Sequence, residues 1–301
     1  MENFIYSIPT TIYFGKGQIE HVSQAVRPYG KKALIVYGGG SVKKNGIFDR
    51  VTEILEHEGI AWEELGGVEP NPRIETVRKG AELCKAGNIE VVLPIGGGST
   101  IDCAKIIAAG ALYDGDAWDL VLDGKKIQAA LPIVAVLTLA ATGSEMDTAA
   151  VISDMASNNK LGTKSEHIRP KAAIMDPSYT ETVNAWHTAA GTADIMSHIL
   201  EQYFSGEDDN TSDYLMEGLL RSLIHSSKIA VQNPTDYEAR SNIMWTATWA
   251  LNTLVAKGKS TDWMVHMIGQ SIGAYTDATH GMTLAAVSLP YYRHILTYGL
   301  H

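Results

Sequence analysis

With 301 residues, 45% of them apolar, the chain is long enough for one large buried core or two smaller ones, and its formal charge of −10 leaves no basic surplus to meet the phosphates of a nucleic acid. Two cysteines, Cys84 and Cys103, exclude a disulfide framework and read as reduced core thiols of a cytoplasmic protein. The opening MENFIYSIPTTIYFG lacks the layout of a signal peptide, and no window is apolar over eighteen residues, so no membrane partner is expected.

In chain order, FIYSIPTTIYF reads first, as a hairpin or an edge strand whose exposure favours pairing of two chains into a homodimer. Ala33–Tyr37 is a short, fully apolar run that ends in 38-GGGS-41, and a helical pattern follows over Ile47–His57. Asn71 and Pro72 open a second helical pattern over Arg73–Ala86. Glu90–Ile95 is another apolar run, followed by 96-GGGST-100 and the helical IDCAKIIAAGA. Pro132–Leu139 ends in 141-ATGSE-145. Continuous apolar runs that close on glycine turns, with helices between them, predict a parallel sheet covered on both faces. After Asp176–Pro177 the spacing becomes helical throughout, as in ADIMSHILEQYF, SDYLMEGLLRSLIHSSKIAVQ and YEARSNIMWTATWALNTLVA. The expected division is an α/β domain over 1–178 and an all-α domain over 179–301.

Glycine between a buried strand and a helix lets the backbone approach a ligand, and the helix N-terminus favours a pyrophosphate. A single GGGS is equally a tight turn that binds nothing. Two of them after strands of one sheet favour a nucleotide. No acid stands among Gly38, Gly39, Gly40 and Ser41 to hold a ribose 2′-hydroxyl, and Lys43 and Lys44 follow, which tips the expectation toward NADP(H), with NAD possible.

In 191-GTADIMSHILE-201, Asp194 and His198 lie one helical turn apart and share a face. A lone histidine on such a face is more often a hydrogen-bonded core residue than a ligand. Together with His266 and His280 the set becomes one carboxylate and three imidazoles, which suits Fe²⁺ or Zn²⁺. HExxH is absent, so a protease of that type is not indicated. Trp245, Trp249, Trp263, Met264 and Met267 read as core before they read as a substrate pocket.

The motifs 12-IYFGKG-17, 96-GGGSTIDCAK-105, 142-TGSEM-146, 175-MDP-177, 190-AGTADIMSHILEQYF-204 and 266-HMIGQSIGAYTDATHG-281 resemble the iron-containing (group III) alcohol dehydrogenases, above all their NADPH-dependent butanol dehydrogenase and aldehyde reductase branch. The resemblance implies a Rossmann-like dinucleotide-binding α/β domain followed by an all-α metal-binding domain. This is the dehydroquinate synthase-like architecture, with the active site in the cleft. It implies Asp194, His198, His266 and His280 as metal ligands. It places Gly38, Gly39, Gly40 and Ser41 at the adenosine-ribose end of the coenzyme and Asn71 on the adenosine side. Gly97, Gly98, Ser99 and Asp102 fall at the pyrophosphate and nicotinamide side. Thr138, Thr142 and Ser144 fall in the strand-end segment, and Lys160 is a lysine that reaches the coenzyme.

Two departures stand out. Many members carry a proton-moving histidine where this chain has Gln270, and Gln cannot act as a general acid. Members also usually continue for several helices past the position of His301, which implies exposed apolar helix faces here. The expected chemistry is hydride transfer between the coenzyme and a small primary alcohol or aldehyde whose oxygen the metal polarises. Same-fold alternatives are a glycerol dehydrogenase-like enzyme, a sugar-phosphate cyclase and a non-catalytic nucleotide-binding member.

Overall fold

The computed structural model describes residues 1–206 and 210–299. It divides into two compact units. One comprises Pro9–Leu139 and Ser144–Tyr179; the other comprises Met1–Ile8, Ala140–Gly143 and the chain from Thr180 onward. The expected boundary at 178 misses the two short segments that join the helical unit through space. Glu2 N–H donates to the Gly258 carbonyl at 3.0 Å. Gly143, with φ 65°, passes so close to α-helical backbone that a Cβ would lie 2.9 Å from the Ala247 oxygen. Contacts of this kind leave no mark on local composition.

The α/β unit runs β1 (Thr11–Phe14), α1 (Val22–Val26), β2 (Lys32–Tyr37), α2 (Ser41–Lys44), α3 (Ile47–His57), β3 (Ala61–Leu65), α4 (Ile74–Gly87), β4 (Val91–Gly96), α5 (Gly98–Gly110), α6 (Ala117–Leu122), β5 (Val134–Leu137), β6 (Ala149–Asp154), β7 (Asn159–Lys164) and β8 (Ala172–Met175). Six strands form a parallel sheet in the order β1-β8-β5-β4-β2-β3, and β6 and β7 form a separate antiparallel pair. Alternate side chains of β2 explain why its sequence is apolar after Lys32. Ala33, Ile35 and Tyr37 pack with Val22, Val26, Phe48, Val51 and Leu55 on one face. Leu34 and Val36 pack with Val77, Cys84, Ile106 and Ile107 on the other.

Strands β3, β6, β7 and β8 were not expected from the sequence, and composition hid two of them. β3 reads AWEEL, with mostly exposed or half-buried positions, because it is an edge strand. β8 reads AAIM and is too short and alanine-rich to stand out. The N-terminal stretch is not a hairpin: within it, β1 alone is a strand, paired in parallel with β8 at the other sheet edge.

The helical unit contains α7 (Ala185–Tyr203), α8 (Thr211–Gln232), α9 (Tyr237–Leu251), α10 (Met264–Thr276) and α11 (His280–Tyr298). Three of its five helix starts carry side-chain caps. Asn184 caps α7 by accepting from His187 N–H at 2.9 Å, Asp236 caps α9 by accepting from Ala239 N–H at 2.9 Å, and Asn210 and Asp213 form a reciprocal capping box on α8. α9 stops at Leu251, before the NTLVA that its spacing appended, where Thr253 takes a left-handed φ of 77°. Ile195, Ile199, Met216, Leu223, Ile243 and Ala247 build the core of this unit. Apolar side chains remain exposed along α10 at Met264, Met267 and Tyr275 (79%), and along α11 at Leu289, Leu296 and Tyr298. Among the described residues, no helix is long and apolar enough to cross a membrane.

Candidate functional site

Helix α7 carries two stripes. Ile195 and Ile199 enter the core, and beside them Asp194 and His198 are also buried, four residues apart. His266 is the third residue of α10 and His280 the first of α11. The approach of α11 depends on Gly281, because a Cβ there would lie 2.0 Å from the Ala190 carbonyl oxygen of α7. Gly281→Ala therefore pushes α11 away from α7 and withdraws His280. Its expected result is at least about a tenfold loss of Zn²⁺ affinity, read by chelator competition. Unchanged affinity would show that this close approach does not govern the cluster.

The Nε2 atoms of His198, His266 and His280 lie 3.4, 3.5 and 3.7 Å from Asp194 Oδ1. Tetrahedral bonds of about 2.0–2.1 Å place neighbouring ligand atoms roughly 3.3–3.4 Å apart, so this spacing fits one transition ion better than it fits hydrogen bonds. Donor atoms of Asp194, His198 and His266 all lie within 4.8 Å of one another. Among the described residues, Asp194 Oδ1 and His266 Nε2 are buried with no hydrogen-bond partner. A buried, unsatisfied carboxylate oxygen is costly unless a cation completes it.

The electrostatics favour the ligating forms of Asp194 and His198. Burial opposes charge on Asp194, but His198, His266 and His280 outweigh it and hold the carboxyl well below the usual carboxylate range. Burial pushes His198 down to about 4, so its ring is neutral at pH 7. Burial also disfavours charge on His266, but the adjoining carboxylates of Asp194 and Glu201 prevail and raise it to about 9. An ion held by these residues would take the place of that proton.

One neighbour, Glu201, was missed in the sequence, and another, Trp263, reads there as core. Glu201 accepts a hydrogen bond from His266 Nδ1. Its signal was available: an acid inside an apolar run, one turn past His198, as buried as the ligands. Trp263 stands edge-on to His266 and His198, with ring centroids 5.5 and 6.2 Å away. It is a wall of this cluster and not plain core. Trp245, Met264 and Met267 are exposed, against the expectation of core. Gln270 is half-buried, one turn beyond His266 on α10.

In the α/β unit, Gly38–Ser41 follows β2, Gly97–Ser99 follows β4 and Thr138 follows β5, and these three strands are neighbours with Tyr37 beside Ile95 and Gly96 beside Leu137. The loops thus line one carboxyl edge of the sheet. β3 continues outward from β2, whereas β4 lies on the other side of β2, so the strand order reverses between the first two loops. That is where open α/β sheets hold ligands. Gly40 has φ 90° at the start of α2, and Gly97 starts α5, whose N-terminus no side chain caps. Ser99 Oγ donates to the Pro70 carbonyl. Lys160 Nζ donates to Asn71 Oδ1 at 2.8 Å, so two residues 89 positions apart meet. Asp102 accepts from Ser144 Oγ at 2.6 Å and from Val151 N–H at 2.9 Å, which ties α5 to the TGSE turn. Thr142 belongs to the helical unit.

The first loop is less cationic than its sequence suggests. Lys43 Nζ pairs with Glu64 Oε2 of β3 at 2.6 Å and lies over the rings of Tyr37 and Phe48. An acid is present after all, supplied by the neighbouring strand.

Burial pushes the Asp102 carboxyl up to about 6, against the pull of Lys105 and its hydrogen bonds. With the folded value above the unfolded one, this group contributes stability at pH 4 that is lost as pH rises through 6. The wild type should therefore gain stability relative to Asp102→Asn when pH falls from 7.5 to 5, measured by urea unfolding. A gap that does not vary with pH would contradict the assignment.

Residues 9–177 match the iron-containing alcohol dehydrogenase family, and residues 188–297 match the C-terminal part of the Fe-containing alcohol dehydrogenase family. The NADH-dependent butanol dehydrogenase A of Clostridium acetobutylicum is 52% identical over 98% of this chain and 76% of its own length. The NADPH-dependent aldehyde reductase YqhD of Escherichia coli is 40% identical over 95% of this chain and 74% of its own. The crystal structure of NADH-dependent butanol dehydrogenase A from Thermotoga maritima superposes with a TM-score of 0.96 at 39% identity, over 100% of this chain and 79% of that one. Likeness over nearly every residue, in sequence and in backbone, reaches both the parallel sheet and the helices that bear the histidines: the chain belongs to the iron-containing alcohol dehydrogenase family.

Proposed function

We propose that this dehydrogenase moves a hydride between a nicotinamide dinucleotide and a small primary alcohol or aldehyde, with Asp194, His198, His266 and His280 holding Fe²⁺ or Zn²⁺. The observation that carries the reading is the set of three imidazole nitrogens 3.4–3.7 Å from one buried carboxylate oxygen. When bound, the ion supplies Lewis acidity to the substrate oxygen and the dinucleotide carries the hydride. The protein's own part is arrangement. Asp194 supplies the negative charge, His198 is kept neutral by burial, and Trp263 excludes water from one side of the rings. The glycine turns at 38–41 and 97–99 would admit the dinucleotide backbone, and Asn71, Asp102, Thr138, Thr142, Ser144 and Lys160 are the further residues proposed to contact it. Gln270 can hydrogen-bond substrate or water but cannot shuttle a proton.

Because Lys43 and Glu64 neutralise each other beside the first loop, neither a 2′-phosphate nor a 2′-hydroxyl meets a decisive charge. Both NADPH and NADH should bind, with dissociation constants within about tenfold, or roughly 1.4 kcal/mol. A hundredfold preference either way would refute this. Exposed Phe4, Ile5 and Tyr6, in a segment that is neither helix nor strand, support a homodimer, which sedimentation can check.

The central test is oxidation of NADH and NADPH with short aldehydes after chelator treatment and reconstitution. Activity should vanish on chelation and return with Fe²⁺ or Zn²⁺. Undiminished rates in the stripped protein would overturn the metal-dependent reading.

A further inference from the structure

Building on that metal reading, the geometry points to Glu201 as a positioning residue that fixes the tautomer and orientation of His266 and balances the charge of a divalent ion. The Glu201 side chain is 0% exposed, and its ion-pair partner is His266. Oε1 accepts from the His266 ring at Nδ1 and from Ser197 Oγ at 2.6 Å. Oε2 accepts from the His266 backbone N–H at 3.0 Å. The Glu201 carbonyl accepts from Asp262 N–H at 3.2 Å, just ahead of α10.

One carboxylate thus grips the ring and the backbone of the same residue. The backbone bond serves α10 as a cap, since its own N-cap position, Trp263, offers no side-chain acceptor. The ring bond requires hydrogen on Nδ1. The lone pair therefore sits on Nε2, the atom 3.5 Å from Asp194 Oδ1. With the ring held at both places it keeps its direction when the site is empty and when it is filled.

Charge gives an independent reason. A divalent ion on three neutral imidazoles and Asp194 leaves one positive charge in a buried site. Glu201, reaching the ion through the His266 ring, supplies the missing negative charge. Buried charge is tolerated when it is paired in this way.

The test uses the full chain with Zn²⁺ or Co²⁺ as probe. Glu201→Gln keeps the size and one acceptor but removes the charge. It should weaken Zn²⁺ binding about 10–100-fold by chelator competition and alter the visible bands of the Co²⁺ protein. A merely structural residue would lower the melting temperature of the metal-free protein and leave Zn²⁺ affinity alone; that result overturns the inference. Wild type that binds no Zn²⁺ would instead overturn the metal reading beneath it. Should the variant fail to fold, ¹⁵N-histidine spectra of Zn²⁺-loaded wild type decide: hydrogen on His266 Nδ1 with Nε2 coordinated supports the role, and the opposite tautomer refutes it.

Discussion

Asp194→Ala is expected to cut aldehyde-dependent NAD(P)H oxidation by on the order of a thousandfold or more. Lewis-acid stabilisation is worth several kcal/mol, and each 1.36 kcal/mol is about a factor of ten. Bound Zn²⁺, measured by metal analysis, should fall from about one per chain to near zero. Asp194 is the hub of the cluster, because the three histidine distances converge on its Oδ1, and it is the anionic member among the proposed ligands. Circular dichroism of the variant checks the fold, because Asp194 also balances the charge of His266 in the metal-free protein. Equal rates in variant and wild type would take the ion out of the mechanism.

Lys105→Met should be the most damaging substitution for stability in the α/β unit. Lys105 is fully buried in α5, and its Nζ donates to Asp147 Oδ1 at 2.6 Å and to the Ala149 carbonyl at 2.7 Å. Methionine fills the space but abandons the Asp147 carboxylate, whose pKa burial already raises. Breaking a buried pair from one side costs about 3–5 kcal/mol. Urea unfolding checks this, and a loss under about 1 kcal/mol would show that Asp147 finds another partner. The double variant Lys105→Met with Asp147→Leu should recover much of the loss, because neither charge is then stranded.

Periodicity carried the sequence reading wherever one environment covers a whole element. The helix expected at Ile47–His57 matches α3 end to end, and the apolar runs at 33–37 and 90–95 fall on β2 and β4. It failed at sheet edges, where two of the five residues of AWEEL are exposed, and where tertiary contact recruits a segment such as 140–143. The four proposed ligands could be picked out because histidine and aspartate are rare in apolar runs. Glu201 does not stand out in the same way, because its partner His266 lies 65 positions away and folding alone brings them together. Glu64 likewise lies 21 positions from Lys43, and parallel pairing of β2 with β3 is what brings them together. A coenzyme preference argued from consecutive residues therefore omitted a charge supplied by the adjacent strand.

The helices that begin at Met264 and His280 each hand a ring to the same carboxylate of α7 within their first turn, while their outer faces carry exposed methionine, leucine and tyrosine. An ion there would act as a rivet fastening these two helices to α7 while their own far sides stay exposed. Chelation should therefore speed amide deuterium uptake along 264–298 first, and leave the protons of the six-stranded sheet as slow as before.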